Sequence, residues 1–423
     1  MTDKAENKRI VIVGGGAAGF FAAIRVAEQA PGASVVILEG TRKLLTKVRV
    51  SGGGRCNVTH NCMIPSELVE NYPRGKKELR GPFSQFHAAD TVSWFEKRGV
   101  PLKAESDGRM FSVTDKSETI IRCLTGAAQN SGVTILTGKK VTGIQRTEDG
   151  YFEIKIHKED SLRCDKVMIA SGSSVQMFDV IKSLGHSIID PVPSLFTFNI
   201  ENDRRLHDIP GVSVPLAELL LKPVGSKKKF RQSGPLLVTH WGLSGPAVLK
   251  LSAWAARELY DSNYEASLII NWLPSTDKEK LEEFFRGQRE SGPNKLLSKV
   301  IPEGIPKRLW AKLLAFCDIP DALTLGQLKN KSLERVILEV TQGSYRVNGK
   351  GVFKEEFVTC GGVDLKEINF KKMESLKVPG LYFGGEVLNI DGITGGFNFQ
   401  NAWTTGWIAG TNMACDDLMA SSD

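Results

Sequence analysis

One short segment near the start of the chain constrains the fold more than any other. Residues Gly14–Gly19 read GGGAAG and fit the pattern GxGxxG. They follow the β-branched run RIVIV at 9–13, typical of a buried strand, and they open a segment to about Ala30 that is typical of a helix. A second strand-like run, SVVILE, ends at Glu39. The order strand, glycine turn, helix, strand predicts a βαβ unit with a right-handed crossover.

The glycines of this turn predict a dinucleotide site. Gly14 permits the tight turn, Gly16 lets the backbone approach a pyrophosphate, and Gly19 lets the helix pack against the strand. The start of the helix presents free N–H groups and the positive end of its dipole to the phosphates. Glu39 closes the second strand and is placed to accept hydrogen bonds from ribose hydroxyls. The motif by itself does not separate FAD from NAD.

Three later features favour FAD. The strand KVMIA at 166–170 ends in Ser-Gly, which resembles the strand end of flavoproteins whose nucleotide domain has two segments. The segment GLYFGGE at 380–386 is a strand followed by glycines and an acid. Gly395 and Gly396 then open a predicted helix to about Gly410, and its N-terminus can face the flavin pyrimidine edge, where reduction builds negative charge. A second GxGxxG is absent, so either NAD(P)H binds transiently over the flavin or another donor or oxygen completes the cycle.

A basic, glycine-rich segment follows the βαβ unit. It contains Lys47, Arg49 and the run SGGGRCN at 51–57, which suits a loop lying against phosphates or the flavin edge. A flexible basic surface loop is the alternative. Cys56 within it could act as a general acid or redox thiol, or it could be a packed, inert cysteine.

Two further motifs lie later in the chain. His240, within THWGLSGP at 239–246, could be an acid/base, a substrate ligand or a structural histidine. Lys227–Lys229, followed by Phe230 and Arg231, could form an anion or RNA contact or a solvated hairpin tip. A second set of cations elsewhere in the chain could belong to the same kind of anion or RNA contact surface: Arg74, Lys76, Lys77 and Arg80.

Composition sets looser limits. The 423 residues have a net charge of +7, which permits an anionic substrate or RNA without demanding either. Seven cysteines without a CxxC pair predict neither a disulfide framework nor a zinc site, so no metal is expected. The polar start of the chain and the absence of a run near the ~18 apolar residues of a membrane helix predict a cytoplasmic protein without a membrane partner.

The texture of the chain predicts an interrupted α/β domain. A loop region is expected from about Gly40 to Phe86, and helices are expected at Asp90–Arg98 and Asp115–Asn130. Prolines punctuate short β-like segments in an inserted β-rich domain at 191–274, and charged helical patterns fill a subdomain at 275–355. The FAD-binding domain then comprises 1–190 and 356–423.

These motifs together resemble one family. They are VIVGGGAAG, KVRVSGGGRCNVTH, GRMFSVTDKSET, THWGLSGPAVL and the long glycine-rich segment from Thr359 to Trp403. They are similar to the aminoacetone oxidase-type family of NAD(P)/FAD-dependent oxidoreductases, over about Arg9 to Gly410. The resemblance implies a Rossmann-like FAD-binding domain with an inserted β-barrel domain and a helical subdomain. Two residues depart from the family pattern, His60 and Ser112.

The motifs and the resemblance give one set of expected sites. The expected catalytic residues are Cys56 and His240. The expected FAD contacts are Gly14, Gly16, Ala17, Ala18, Gly19, Glu39, Lys47, Ser51, Gly52, Gly53, Arg55, Asn57, Val141, Ala170, Gly172, Gly385, Glu386, Gly396, Phe397 and Asn398.

The activities that the resemblance implies are not uniform. They include aminoacetone oxidation, reductive steps on bile-acid intermediates and formation of dihydrouridine in ribosomal RNA. We expect an FAD oxidoreductase with NAD(P)H as a small-molecule donor, transferring hydride to an activated double bond, with uridine of ribosomal RNA as the preferred substrate. The alternatives are an oxidase or reductase of a small metabolite such as an aminoketone, and a non-catalytic flavin-binding assembly protein.

Overall fold

The structure is a computed structural model that describes residues 8–351 and 358–415. The chain forms two compact units. One comprises the chain up to Pro191 together with the chain from Thr359 onward, and the other comprises Val192–Val358. The expected boundary at 355/356 lies outside the described residues, as do 1–7 and 416–423 of the expected FAD-binding domain.

The first unit begins with alternating strands and helices. In chain order its elements are β1 (Arg9–Val13), α1 (Ala17–Gln29), β2 (Ser34–Glu39), α2 (Thr46–Gly54), β3 (Thr59–His60), α3 (Pro65–Leu68), α4 (Arg80–Gln85), α5 (Ala88–Glu96), β4 (Leu102–Ala104), β5 (Arg109–Ser112), α6 (Ser117–Asn130), β6 (Thr134–Thr137), β7 (Val141–Arg146), β8 (Phe152–Ile156), β9 (Leu162–Cys164), β10 (Lys166–Ile169), α7 (Val175–Ser183) and β11 (Ile188–Ser194), which carries the chain into the second unit.

The second unit and the return to the first unit complete the chain. The second unit contains β12 (Phe198–Asn199), β13 (Ser213–Pro223), β14 (Phe230–Thr239), β15 (Gly242–Ser244), α8 (Pro246–Trp254), α9 (Ala256–Asp261), β16 (Glu265–Asn271), α10 (Lys278–Ser291), α11 (Lys307–Phe316), α12 (Asn330–Gln342) and β17 (Gly343–Lys350). The chain returns through β18 (Val358–Val363), β19 (Ile368–Asn369), β20 (Glu374–Ser375), β21 (Leu381–Phe383) and α13 (Phe397–Ala414).

A mostly parallel sheet forms the centre of the first unit. Its strand order is β19-β20-β21-β10-β1-β2-β6, and the five strands from β21 to β6 run parallel. Val11 of β1 pairs with Val36 of β2 on one side and Val167 of β10 on the other. These strands are buried and rich in Val and Ile, as parallel strands covered on both faces must be. The expected α/β class with a Rossmann-type sheet is confirmed.

Helices α1 and α13 pack closely against each other, although the ends of the chain supply them. α13 is buried on nearly all sides, including Trp403. A Cβ added at Gly406 would lie 2.5 Å from the carbonyl oxygen of Ala18, and one at Gly410 would lie 2.6 Å from that of Ala22. The two backbones therefore approach to a distance that only glycine permits.

The second unit is built on a closed antiparallel barrel. The strand order is β12-β15-β14-β13-β16-β17, closed by the pairing of β12 with β17. Alternating inward residues such as Leu219, Leu221 and Leu268 fill the barrel, and α8 to α12 bury apolar residues such as Trp310 in the same core. The expected inserted barrel is confirmed.

The internal division of this unit differs from the expected one. β17 lies within the segment expected to be helical, 275–355, and α8 and α9 lie within the segment expected to be β-rich, 191–274. β17 follows α12 without a loop, although Gly343 at the boundary is a helix-end signal and the alternation of Tyr345 and Val347 with polar residues is typical of a strand. α8 is apolar on most sides and shows no clear helical period, although Pro246 at its first turn is a helix-start signal.

The expected loop region at 40–86 was wrong in part. It contains α2, α3 and α4, which are short, and α2 is interrupted by non-helical backbone at Ser51–Gly53. Helices this short lack the repeated apolar spacing that a sequence pattern needs. The helices expected at Asp90–Arg98 and Asp115–Asn130 correspond to α5 and α6, each shifted by about two residues at its start.

Within residues 8–351 and 358–415, the structure contains no helix with the length and apolar character needed to cross a bilayer.

The close contact between α1 and α13 gives a first prediction. We expect Gly406→Ala to destabilise the protein by about 1–3 kcal/mol, because its Cβ would overlap the backbone of α1 and neither helix can move without disturbing the sheet. Urea denaturation of the holoprotein measures this effect.

The matched control is Gly126→Ala in α6, where an added Cβ meets no atom of the described residues within 4 Å. This variant should be neutral or more stable by about 0.4–1 kcal/mol. Equal effects of the two variants would contradict the close approach of α1 and α13.

Candidate functional site

Three glycines of the turn between β1 and α1 have different roles. Gly14 has a φ of +119°, and a Cβ there would overlap the carbonyl group of Ala170. A Cβ on Gly19 would overlap the carbonyl oxygen of Gly14. A Cβ on Gly16 would meet no atom of the described residues within 4 Å. Gly14 and Gly19 are therefore required by the packing, whereas Gly16 borders open space at the start of α1.

The start of α1 is suited to bind an anion. Its N-cap residue is Gly16, which has no side chain to cap the helix. The N–H groups of the first turn, beginning at Ala17 and Ala18, therefore remain for a ligand, and the helix dipole favours negative charge there. Residues of this kind fit the pyrophosphate of a dinucleotide.

Glu39 is held at the end of β2 by backbone donors. One carboxylate oxygen accepts from the N–H of Gly15 at 2.8 Å, and the other accepts from the N–H of Thr41 at 2.8 Å. Each oxygen retains a further lone pair for a ribose hydroxyl. The carboxylate is thus fixed in direction beside the glycine turn.

A cleft of about 390 Å³ opens beside Gly14 and Glu39. It brings together residues that are far apart in sequence, including Val141 at the start of β7. Its lining residues are Val13, Gly14, Leu38, Glu39, Gly40, Thr41, Lys139, Lys140, Val141, Ser171, Ser174, Gln176 and Met177. Sequence analysis missed Ser174, Gln176 and Met177, because they follow β10 in a segment without a motif.

The end of β10 contributes to this cleft. Ala170 is buried and donates its N–H to the carbonyl of Val13 at 2.8 Å, and Gly172 has a φ of +62°. Between them, the buried Ser171 Oγ has no hydrogen-bond partner among the described residues. A ligand in the cleft could satisfy it.

A second loop lies against the start of α1. Gly385 has a φ of +74°, and a Cβ there would lie 3.0 Å from the Cβ of Ala18. The adjacent Glu386 forms an ion pair with Lys47 through one oxygen and accepts from the N–H of Thr359 at 3.0 Å through the other. The structure therefore brings the expected contacts Lys47, Gly385 and Glu386 together.

The N-terminus of α13 forms the other end of the site. Its N-cap, Gly396, has a φ of +94°, and a Cβ there would lie 2.6 Å from the carbonyl oxygen of Thr59. The same Cβ would lie 2.9 Å from Asn57 Oδ1, a buried oxygen without a hydrogen-bond partner in the described structure. The ring of Phe397 stacks on His60 with centroids 4.7 Å apart. The free N–H groups of this helix again suit a group that gains negative charge.

Polar contacts fix the loop before α13. The amide of Asn398 donates to the carbonyl of Gly392 at 2.9 Å and accepts from its N–H at 2.8 Å. The side chain of Asn398 is therefore used inside the protein, so a ligand would meet its backbone. Tyr72 Oη donates to the carbonyl of Phe397 at 2.6 Å, and Arg74 forms a bidentate ion pair with the buried Asp391.

A buried network fixes the first turns of α13. Gln400 Oε1 accepts from the hydroxyls of Thr59 at 2.6 Å and Thr91 at 2.9 Å, and its Nε2 donates to Thr404 Oγ1 at 3.0 Å. Sequence analysis missed this network because its members lie on three separate elements.

The SGGGRCN segment adopts an unusual backbone. Gly52, Gly53 and Gly54 have φ values of +57°, +68° and +84°. A Cβ added at either of the last two would meet no atom of the described residues within 4 Å. Ser51 Oγ donates to the carbonyl of Val48 at 3.1 Å. The guanidinium of Arg55 is held by a cluster of neighbours: Glu105 at 2.6 Å, Asp115 at 3.6 Å and the Phe111 ring at 4.0 Å. A ligand would therefore meet the backbone of this segment more readily than the Arg55 side chain.

The two expected catalytic residues differ in their surroundings. Cys56 is fully buried, and this burial raises the pKa of its thiol to about 12, although a hydrogen bond with Ser51 opposes the shift. His240 is exposed in the two-residue turn between β14 and β15 of the second unit. The described residues enclose Cys56 completely, so its sulfur is not exposed to a substrate.

Several other residues singled out in the sequence have partners inside the protein. Lys76 pairs with Glu70, and Arg74 is committed to Asp391, so two of the four cations of that set are neutralised. Ser112 is buried, with its Oγ 3.0 Å from Thr114 Oγ1.

One buried cluster resembles a hydrolytic triad but is explained by packing. His186 lies 2.8 Å from both Glu367 and Ser375 Oγ. Ser375 Oγ also accepts from the N–H groups of Lys377 and Val378, and the residue is buried. The hydroxyl is therefore fully used in a turn, and the cluster fixes β20 to the end of α7.

An α/β sheet with a glycine turn at one helix N-terminus and a second uncapped helix N-terminus from the end of the chain defines a Rossmann-type FAD-binding oxidoreductase. The chain belongs to the family described as HI0933-like protein Rossmann domain, whose pattern matches residues 8–412. The expected family and the expected FAD cofactor are confirmed.

Comparison with known proteins gives relatives with full-length similarity. The chain is 32% identical to the ribosomal RNA dihydrouridine synthase of Escherichia coli strain K12, covering 97% of this chain and 98% of that one. It is 27% identical to a 3-dehydro-bile acid delta(4,6)-reductase of Clostridium scindens, covering 95% and 98%. Among solved structures, a 3-ketosteroid-delta4-(5alpha)-dehydrogenase from Rhodococcus jostii RHA1 has a TM-score of 0.51 at 14% identity, covering 98% and 99%, which shows a shared fold.

The open space at Gly16 gives a second prediction. We expect Gly16→Val to abolish FAD binding, because its side chain would occupy the position of the pyrophosphate. The apoprotein should fold normally, because φ at Gly16 is −95° and an added Cβ meets no atom of the described residues within 4 Å. Flavin absorbance and the melting temperature of the apoprotein measure both effects.

The matched variant is Gly19→Val, whose side chain would overlap the backbone of Gly14 and should destabilise the apoprotein itself. Full flavin occupancy in Gly16→Val would contradict the placement of the pyrophosphate at this turn.

Proposed function

We propose that this FAD-dependent oxidoreductase reduces uridine in ribosomal RNA to dihydrouridine, with NAD(P)H as the electron donor. The observation that carries the proposal is the 32% identity, over nearly the whole of both chains, to a protein named ribosomal RNA dihydrouridine synthase. The pattern of two uncapped helix N-termini, at Gly16 and Gly396, supports a tightly oriented flavin as the site of redox chemistry.

The proposed reaction balances. The C5=C6 bond of uracil gains a hydride at C6 and a proton at C5, while NAD(P)H is oxidised to NAD(P)⁺. Bound FAD supplies the hydride transfer from one substrate to the other. The protein must then place the uracil ring, exclude water and supply the proton.

The residues of the first unit orient the cofactor. The N–H groups at the start of α1 would hold the pyrophosphate, and Glu39 would hold the adjacent ribose. The N-terminus of α13, fixed by Gln400, would lie at the pyrimidine end and favour the reduced form, because that form carries negative charge. The packing and hydrogen bonds that fix both helix ends would hold a bound cofactor in one orientation.

Burial excludes one of the two expected catalytic residues as the proton donor. Cys56 is fully buried, so we assign it to packing. His240 is exposed in a turn, and we retain it as the candidate acid.

A small metabolite remains the second candidate substrate. The observation that favours it is the 27% identity, over 95% of this chain, to a bile acid reductase. A small neutral substrate predicts activity with little dependence on salt, whereas an RNA substrate predicts a steep dependence.

The substrate proposal gives a third prediction. Ribosomal RNA from a strain that lacks this protein should lose dihydrouridine, measured by mass spectrometry of nucleosides, and the purified holoenzyme with NADPH or NADH should restore it. The Gly16→Val variant should not restore it. Unchanged dihydrouridine in the deletion strain would exclude this substrate, and NAD(P)H-dependent reduction of an unsaturated steroid acid would then support the second candidate.

The proton donor gives a fourth prediction. We expect His240→Gln to lower the rate constant of dihydrouridine formation by about 10²–10⁴-fold, the usual contribution of a general acid, without changing flavin content. Cys56→Ala should retain activity within a few-fold, because the buried thiol does not reach the substrate. Single-turnover kinetics of the reduced enzyme measures both. The opposite ranking of the two variants would reverse the assignment.

A further inference from the structure

The barrel of the second unit has one outward surface rich in cations. On β13 the inward side chains Leu219 and Leu221 are fully buried, and Lys222 on the same strand points outward. Lys222 lies opposite Ser267 of β16, which in turn lies opposite Arg346 of β17. Residues opposite each other share one face of a sheet, so these side chains form a row across three strands.

The neighbouring row and the hairpin tip extend this surface. Arg231 of β14 lies opposite Leu220 of β13, and Leu220 lies opposite Ile269 of β16. The turn between β13 and β14 adds exposed lysines. We call this surface the basic face, and its cations are Lys222, Lys227, Lys228, Lys229, Arg231 and Arg346.

Carboxylates neutralise only half of the basic face. Lys228 pairs with Glu258 at 2.6 Å, Arg231 with Glu218 at 3.0 Å and Arg346 with Glu265 at 3.1 Å. In the part of the chain that the structure describes, the remaining lysines have no ion pair; they are Lys222, Lys227 and Lys229. The basic face therefore carries a net charge of about three positive units, which is enough to attract a polyanion.

The charge of the whole chain is concentrated in the same unit. Val192–Val358 contains 24 Lys and Arg against 19 Asp and Glu, so it accounts for five of the seven net positive charges of the protein. A unit that comprises fewer than half of the residues thus carries most of the attraction for an anionic partner.

The side chains between the cations indicate the form of the anion. The outward positions of the four strands hold aliphatic, hydroxyl and amide groups such as Leu220, Ser267, Ile269, Ser344 and Asn348. No aromatic residue stands at these outward strand positions, so the strand part of the basic face offers no platform on which unpaired bases could stack. Cations spaced along a rigid strand surface instead suit the regularly spaced phosphates of a double helix.

We propose that the basic face docks the phosphate backbone of a helical segment of RNA, apart from the base that is reduced. This inference rests on the proposed function for the identity of the RNA, but the surface itself follows from charge and register. Phosphate contacts fix the register and orientation of a protein on a duplex without reading its sequence. The basic face would hold the folded RNA while the target base is presented to the flavin.

The test compares two triple variants of the FAD-loaded full-length protein. The first is Lys222→Gln, Lys227→Gln and Lys229→Gln. The matched control removes the same charge from exposed lysines of the helical part of the same unit, with Lys295→Gln, Lys299→Gln and Lys331→Gln. The probes are a fluorescein-labelled RNA hairpin of about 16 base pairs, the span of a double-strand-binding domain, and an oligouridine of equal length. Fluorescence anisotropy is measured over a series of salt concentrations.

We expect the first variant to bind the hairpin about tenfold more weakly at low salt, with the slope of log affinity against log salt reduced by about two to three. The control variant should match the wild type. Flavin content and flavin reduction by NAD(P)H should be unchanged in both variants. An unchanged slope in the first variant would overturn the proposal, as would equal losses in both variants or equal affinity for oligouridine.

The outcomes separate this proposal from the proposed function. If the salt slope of RNA binding falls in the first variant but the wild-type enzyme forms no dihydrouridine, the basic face is supported and uridine is excluded as the substrate. If the first variant forms dihydrouridine normally, with unchanged KM for ribosomal RNA, the proposed function stands and the proposal that the basic face docks RNA is overturned. Loss of binding to phosphatidylserine vesicles, without any loss of RNA binding, would assign the surface to a membrane and also overturn the proposal.

Discussion

The contact between α1 and α13 is the interaction on which the rest of the first unit depends. Gly406 and Gly410 allow the last helix to lie directly on the backbone of the first. In α13, Gln400 Oε1 also accepts from the hydroxyl of Thr59 in β3, and Trp403 Nε1 donates to the carbonyl of Val58 just before β3. Because this packing contact joins α1 to α13, the two helix N-termini that we propose for the cofactor are held by the same core.

This arrangement explains why the site needs little of its own side-chain chemistry. Two helix ends supply N–H groups and partial positive charge, and both are closed by glycine N-caps that cannot compete for those groups. Side chains at the site mostly orient the backbone: Glu39 binds the glycine turn, Asn398 binds the loop before α13, and Arg74 fixes Asp391. The energetic cost of burying these groups is offset because nearly every one has a backbone or ionic partner.

In the second unit, buried positions alternate with more exposed ones along the longer barrel strands. Its barrel buries a continuous apolar core, and the outward strand positions are free to carry charge. The basic face can therefore vary without affecting the core, since alternate residues of a strand point to opposite sides. This separation of core and surface positions within each strand leaves the basic face available for the RNA partner that we propose.

The sequence by itself determined the βαβ unit, the packing roles of Gly14 and Gly19 in its turn, and the return of the C-terminal segment to the nucleotide domain, because each depends on local backbone geometry and short-range pattern. Sequence analysis missed α8 and the short helices within 40–86, because their patterns are too brief or too uniformly apolar to distinguish helix from strand. It also missed β17, although that strand has an alternating pattern, because β17 directly follows the charged helical pattern of α12. Only the tertiary structure decided that Cys56 is buried, that the side chains of Arg55 and Asn398 are engaged inside the protein, and that Ser171 and Lys139 line one cleft with Glu39. Those facts depend on which distant residues meet in three dimensions, and no spacing along the chain encodes such meetings.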